Sequence, residues 1–158
     1  MYRGEMTSTR VSGHVDAPRV AVYRALVDAD AIAAWRVPAG MRSEVHKFDA
    51  REGGTFRISL HYDSPDAVGK SSAHTDTYHG HFVELVPDER VVEAIEFESD
   101  DPALGGVMTM TTTLRESGDG TDVLIEHDGI PDAVNPADNE TGTRMALAAL
   151  AAWVENHS

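Results

Sequence analysis

The 158-residue chain carries 27 acidic against 13 basic side chains, a net charge of −14, and no cysteine. That balance opposes binding to nucleic-acid phosphates and to anionic lipid headgroups, and it leaves neither a disulfide framework nor thiolate chemistry. No apolar run nears the ~20 residues of a membrane span, and the N-terminal MYRGEMTSTR lacks the apolar core of a secretory signal, so one soluble cytoplasmic domain is expected.

A strand ending at Val15 comes first. Asp16 and Pro18 punctuate a helix after it: Asp16 can offer a side-chain oxygen to free backbone N–H groups, and Pro18 loses nothing in a first turn. Val22, Leu26 and Val27 recur at helical spacing, and a second short helix leads to Trp35-Arg36-Val37-Pro38. Helices this short must be pinned to something larger. The periodicity then changes to two. Met41–Asp49 reads as a strand, Gly53-Gly54 as a tight turn, and Thr55–Tyr62 as a half-buried antiparallel strand with its even positions apolar or aromatic. Residues 63–74, DSPDAVGKSSAH, read as an exposed loop. Thr75–Val86 and Arg90–Glu98 form a hairpin, and Asp100–Gly106 is another loop. Val107–Arg115 and Thr121–His127 pair around a five-residue connection, Glu116–Gly120. Asn139–Asn156 is Ala-rich, with Leu147, Leu150 and Val154 on one face of a long helix. Gly142 inside that helix predicts a close approach to another backbone. The order implies an α+β fold, a curved seven-stranded antiparallel sheet around a long C-terminal helix with a cavity between them.

A set of short motifs, each weak alone, occurs in one order along nearly the whole chain. They are Val15-x-Ala17-Pro18, Val22-Tyr23-x-Ala25-Leu26, Trp35-x-x-Pro38 and Gly53-Gly54-x-Phe56. Next come Tyr78-His79-Gly80-x-Phe82-x-Glu84-Leu85-x-Pro87-x-Glu89-Arg90, Gly120-Thr121, His127-x-Gly129-Ile130-Pro131 and the Glu140–Glu155 helix. In these the chain resembles the activator-of-Hsp90-ATPase-like branch of the START/Bet v 1 superfamily, the helix-grip fold. The resemblance implies a domain that binds a small, mostly hydrophobic molecule or a protein partner. It implies no established catalytic residue, and the namesake's co-chaperone activity belongs to a larger protein with an additional domain. One departure stands out: the family's last helix usually begins Gly-Trp, and here the pair is Gly142-Thr143. That implies a more open or differently filled cavity mouth, with Trp35 near it.

Alternation nominates the cavity-facing positions. They are Phe56, Ile58, Leu60 and Tyr62 on one strand, and Val91, Glu93, Ile95 and Phe97 on another. Met108, Met110, Thr112 and Leu114 follow, then Val123, Ile125 and His127, with Met145, Leu147, Leu150 and Val154 closing the space from the helix. Two methionines on one strand suit an irregular apolar ligand, or simply fill a core. Glu93 and His127 are the ionisable members of the set. Each can serve as acid, base or ligand anchor; equally, Glu93 can face a solvated rim and His127 a backbone carbonyl.

His79-x-His81 places two imidazoles on one strand face, with His74 just upstream, but without a third ligand or a helical motif solvent-facing histidines are the expectation. Asp63, Asp66 and Asp76, and Asp100-Asp101, lack calcium-loop spacing and read as solvated loop charge. Gly105-Gly106 and Gly118-x-Gly120 open no helix and so cradle no phosphate, and there is no GxSxG nucleophile. No metal and no cofactor are expected. The leading reading is a non-enzymatic protein that holds a small hydrophobic molecule. The rivals are an enzyme of the cyclase, aromatase or dehydratase type using Glu93 or His127, and an interaction module with a protein partner; a homodimer is open under each.

Overall fold

The structure, a computed structural model, describes residues 7–38, 40–62 and 75–157. The expected loop over 63–74, with Asp63, Asp66 and His74, lies outside the described residues. β1 (Ser8–Val15) leads into α1 (Arg19–Leu26) and α2 (Ala29–Trp35). Then come β2 (Met41–Phe48), β3 (Thr55–Tyr62), β4 (Thr75–Val86), β5 (Arg90–Phe97), β6 (Met108–Ser117) and β7 (Gly120–Asp128), and finally α3 (Pro136–His157). The strands form one seven-stranded antiparallel sheet in the order β1-β7-β6-β5-β4-β3-β2. This is the expected α+β helix-grip arrangement, with two short helices after the first strand and a long helix at the end.

One apolar core joins one face of the sheet to the helices. Leu147, Leu150 and Val154 of α3 share it with Val22 and Leu26 of α1, Ile32 and Trp35 of α2, and Phe56, Ile58, Ile95 and Ile125 of the strands. Trp35 binds the two short helices together, its indole Nε1–H donating to the Ala25 carbonyl at 2.9 Å. Its ring is buried there rather than exposed at a rim.

Several local expectations are corrected. Asp16 does not cap α1: the N-cap is Pro18, with no side-chain hydrogen bond. The Asp16 carboxylate lies instead beside His14, and its N–H donates to Glu155. Side-chain capping occurs one helix later, where Asp28 accepts from the Asp30 N–H at 2.9 Å. The β6–β7 connection has two residues rather than five, because Ser117 already pairs with Gly120; Gly118 takes the positive φ of 60° that a two-residue hairpin turn requires. The 100–106 loop holds a short 3₁₀ turn, Pro102–Leu104, capped by Asp101. α3 begins earlier than its apolar spacing indicates, at Pro136, with Asn135 Oδ1 accepting from the Ala137 N–H at 2.8 Å.

The close approach expected at Gly142 is elsewhere. A side chain at Gly142 would meet nothing within 4 Å, whereas a Cβ on Gly13 of β1 would lie 2.9 Å from Leu147 Cδ2. The glycine that lets α3 settle onto the sheet therefore belongs to the strand. Met145 also departs from expectation: it is 48% exposed and takes no part in closing the core.

Candidate functional site

Register places the nominated side chains. On the core face, Phe82, Glu93, Met110, His127 and Thr9 stand in one row across β4, β5, β6, β7 and β1. The row beside it runs Phe48, Phe56, Gly80, Ile95 and Met108; the next holds Val45, Ile58, Tyr78 and Phe97. Ser43, Leu60 and Asp76 form a further row, and Thr112 lies between Val91 and Ile125 on the other side. Strands are spaced about 4.8 Å apart, so Glu93 and His127 stand roughly 10 Å from each other with Met110 between them. They share a row without touching.

Phe56, Ile58, Glu93, Ile95, Met108, Met110, Thr112, His127, Leu147 and Leu150 are all buried, while Leu60, Tyr62 and Phe97 are half-buried. Tyr62 is turned to Asp76, its hydroxyl donating to Oδ2 at 3.0 Å. Asp76, expected as solvated loop charge, is instead a β4 residue only 5% exposed. Thr143, at the departure from the Gly-Trp pattern, is buried and donates its hydroxyl to the Asn139 carbonyl at 2.7 Å. The Asn139 side chain in turn accepts from Thr9 Oγ1, which ties the start of α3 to the end of the Glu93–His127 row.

The electrostatic centre is a residue that alternation does not reach. Arg36 follows the last turn of α2 and extends its guanidinium over the sheet. Nη1 donates to Glu93 Oε1 at 2.9 Å, Nη2 lies 3.9 Å from Met110 Sδ, and the group sits 5.6 Å from the centre of the Tyr78 ring. The pair is deep: the Arg36 and Glu93 side chains are 15% and 5% exposed. Burial works against the guanidinium charge, but the facing Glu93 carboxylate outweighs it and holds Arg36 charged. Burial also raises the Tyr78 hydroxyl above the usual phenol range, so it remains a donor. His127 is pushed down to about 4, first by burial and then by the nearby Arg36 charge, so its imidazole is neutral at physiological pH.

Among the described residues, three buried side-chain polar atoms have no hydrogen-bond partner: Ser43 Oγ, Tyr78 Oη and His127 Nδ1. All three belong to the core face: Ser43 and Tyr78 stand in adjoining rows, and His127 lies two rows beyond Tyr78, toward the other edge of the sheet. Buried polar atoms are rarely left this way, because each forfeits its hydration. A depression of about 200 Å³ lies elsewhere, between α1, α2 and the end of α3, lined by Ala21, Arg24, Ala25, Asp28, Trp153 and His157 among others. Of the nominated residues only Val154 borders it.

Arg36, Tyr78 and Ser43 are the members of this cluster that sequence reasoning misses. Tyr78 and Ser43 stand opposite Ile58 and Leu60, which alternation finds on β3, on the strands to either side of it. The signal for Arg36 is indirect: an acid at the parity of Val91 and Ile95 calls for a cation, but nothing in the spacing says which. His79 and His81 fall on the opposite face. His79 bonds Glu98 Oε2 at 3.0 Å, His81 is exposed, and among the described residues no three His, Cys, Asp or Glu side chains gather as metal ligands do. No described helix is long and apolar enough to cross a membrane.

Comparison with known proteins fits this architecture. A protein of Chromobacterium violaceum, known from a crystal structure, is 35% identical, with 94% of this chain and 96% of that one aligned and a TM-score of 0.83. An activator-of-Hsp90-ATPase-like protein of Aeromonas hydrophila, solved in solution, aligns over 96% and 94% of the two chains at 20% identity and a TM-score of 0.73. A Rhodobacter sphaeroides protein aligns over 96% and 94% at 18% identity and a TM-score of 0.77. These last two share the fold. No curated protein matches the sequence. Residues 16–155 match the family described as Activator of Hsp90 ATPase homolog 1-like protein, and the chain belongs to that family.

Proposed function

We propose that the protein binds a small, mostly apolar molecule between the core face of the sheet and α3, without transforming it. The observation that carries this reading is the set of three buried polar atoms without a partner among the described residues, Ser43 Oγ, Tyr78 Oη and His127 Nδ1, on a face built mainly of Phe, Ile, Met and Leu. An apolar wall with a few convergent polar groups is the usual make-up of a small-molecule site. Apolar burial supplies the affinity. Tyr78, Arg36 and His127 orient the ligand's polar end, with Phe56, Ile58, Ile95, Met108 and Met110 against its body. The methionines adapt to an irregular shape.

The test is a thermal-shift and native mass-spectrometry screen with long-chain lipids and aromatic polyketides. At least one compound should raise the melting temperature and survive as a one-to-one complex. If none does, and an experimental structure shows the space filled by the protein's own side chains, the reading fails.

One observation favours a second reading. A neutral, buried His127 with a free Nδ1 is suited to take a proton from a bound substrate, as a cyclase, aromatase or dehydratase requires. Glu93 is less suited, because its carboxylate is engaged by Arg36. Under this reading His127→Gln abolishes turnover of a bound compound that the native protein converts; unchanged turnover removes His127 from the chemistry.

A further inference from the structure

We infer that the site selects an uncharged ligand, a mostly apolar molecule whose ketone or hydroxyl oxygen is held by Tyr78 and Arg36, with His127 open to a second hydroxyl further along the sheet, and that it rejects carboxylates of the same shape. This rests on the cavity reading above and narrows it to one ligand chemistry.

The charge inventory of the core face decides the point. The α3 residues turned to the core are Thr143, Leu147, Leu150 and Val154, none of them charged. Among the described residues of the sheet face, the acids are Glu93 and Asp76, and the one cation reaching over them is Arg36. Arg36 is therefore not a free anchor for an anion, since Glu93 already neutralises it at 2.9 Å. Asp76 adds a second acid on the same face, in the row next to that of Tyr78 and Phe97. A ligand carboxylate would give up its water beside an existing carboxylate, with no unpaired cation among the described residues of this face to meet it. A ligand ammonium would meet the Arg36 guanidinium, and both acids are already engaged, Glu93 by Arg36 and Asp76 by the Tyr62 hydroxyl. Neither charge fits.

What the site does offer is hydrogen-bond donors. A guanidinium has five N–H groups, and Arg36 directs one to Glu93 and one weakly to Met110 Sδ. The Tyr78 hydroxyl is protonated and unpartnered among the described residues, and the ring that carries it faces the same guanidinium, 5.6 Å from its centre. A carbonyl oxygen accepts from both without bringing charge. The neutral His127 can donate to, or accept from, a ligand hydroxyl at the far end of the row. Ser43 offers the same versatility at the opposite side of the face.

The experiment is calorimetric titration of the whole protein with two matched series. One is acetylnaphthalene, naphthol, naphthoate and naphthylmethylamine; the other is a long-chain methyl ketone, hexadecanol, palmitate and hexadecylamine. In the skeleton that binds, the ketone or alcohol should be roughly tenfold or more tighter than the carboxylate and the amine. A carboxylate or amine that binds as tightly overturns the charge inference and leaves the cavity reading standing. No binding by any member of either series overturns both. Glu93→Gln keeps the side chain's shape and releases the Arg36 charge, so the carboxylate should gain roughly tenfold on the ketone. An unchanged preference overturns the inference. Tyr78→Phe leaves every charge in place and needs no repacking. It should weaken the ketone by roughly three- to tenfold, the worth of one hydrogen bond, and an unchanged affinity removes Tyr78 from the site.

Discussion

The two faces of the β2–β3–β4 region treat polar groups in opposite ways. On the outer face the hydrogen bonds close among themselves. Ser59 Oγ lies 2.7 Å from Thr77 Oγ1 and 2.8 Å from His46 Nε2, although Ser59 and Thr77 are as buried as a core residue. His61 bridges Glu44 and Thr75 at 2.8 and 3.0 Å, and Glu98 accepts a forked pair from Arg57 as well as a bond from His79. On the inner face, one residue out of register, Ser43 and Tyr78 are buried and unpartnered among the described residues. A network that completes itself stabilises a sheet; one that stops short is set up for something added. The difference separates structural polarity from functional polarity on the same three strands.

The largest expected effect tests whether the Arg36–Glu93 pair belongs to the structural class. Arg36→Met leaves a buried carboxylate unpaired and should cost about 3–5 kcal/mol in urea unfolding, most of it recovered when Glu93→Leu is added. A loss below about 1 kcal/mol would mean that Glu93 turns to water with ease. Next is pH. The His127 imidazole is neutral when folded down to about 4 but protonates near its ordinary value when unfolded. The unfolded chain therefore binds more protons in that window, and stability falls as pH drops from about 6.5 to about 4. His127→Gln should remove about 3 kcal/mol of that decline, measured as the difference between the two unfolding free energies across the window. Ser59→Ala breaks the closed outer network and should cost about 1–3 kcal/mol, because Thr77 and His46 each lose a partner. Smallest is Tyr78→Phe, which removes a hydroxyl with no hydrogen-bond partner among the described residues and should shift stability by no more than about 0.5 kcal/mol, in either direction. If Tyr78→Phe costs as much as Ser59→Ala, the contrast between the faces collapses.

Much of this arrangement is legible in the residues themselves. Strands β5, β6 and β7 read cleanly because one side of each is buried, so period two sorts Glu93, Met110 and His127 onto the core face with the aliphatic residues around them. The reading weakens where local composition misleads. Asp76 falls inside the expected strand Thr75–Val86, but beside the polar 63–74 segment its charge reads as solvated; its burial on the core face opposite Leu60 comes from pairing that no local signal carries. Arg36 is invisible for a related reason. Its partner lies 57 residues away, and its role depends on how the end of α2 is aimed at the sheet. Gly142 shows the converse limit: a glycine in a helix can signal a tight contact, but its site here is open, and the tight contact is made by Gly13 in a strand where glycine raises no alarm.

The pairing of β1 with β7 also bears on how the site comes into being. Ser8 meets Asp128 across a sequence separation of 120, and the same ladder sets Thr9 beside His127. The Glu93–Met110–His127 row can grow strand by strand through successive hairpins, but its final member arrives only when that long loop closes. Loop closure on this scale is a slow, entropically costly step, and sheets dominated by such non-local pairings refold in roughly milliseconds to seconds. The polar row is thus among the last parts of the molecule to be assembled, and until β1 docks, the seat for α3 at Gly13 does not exist.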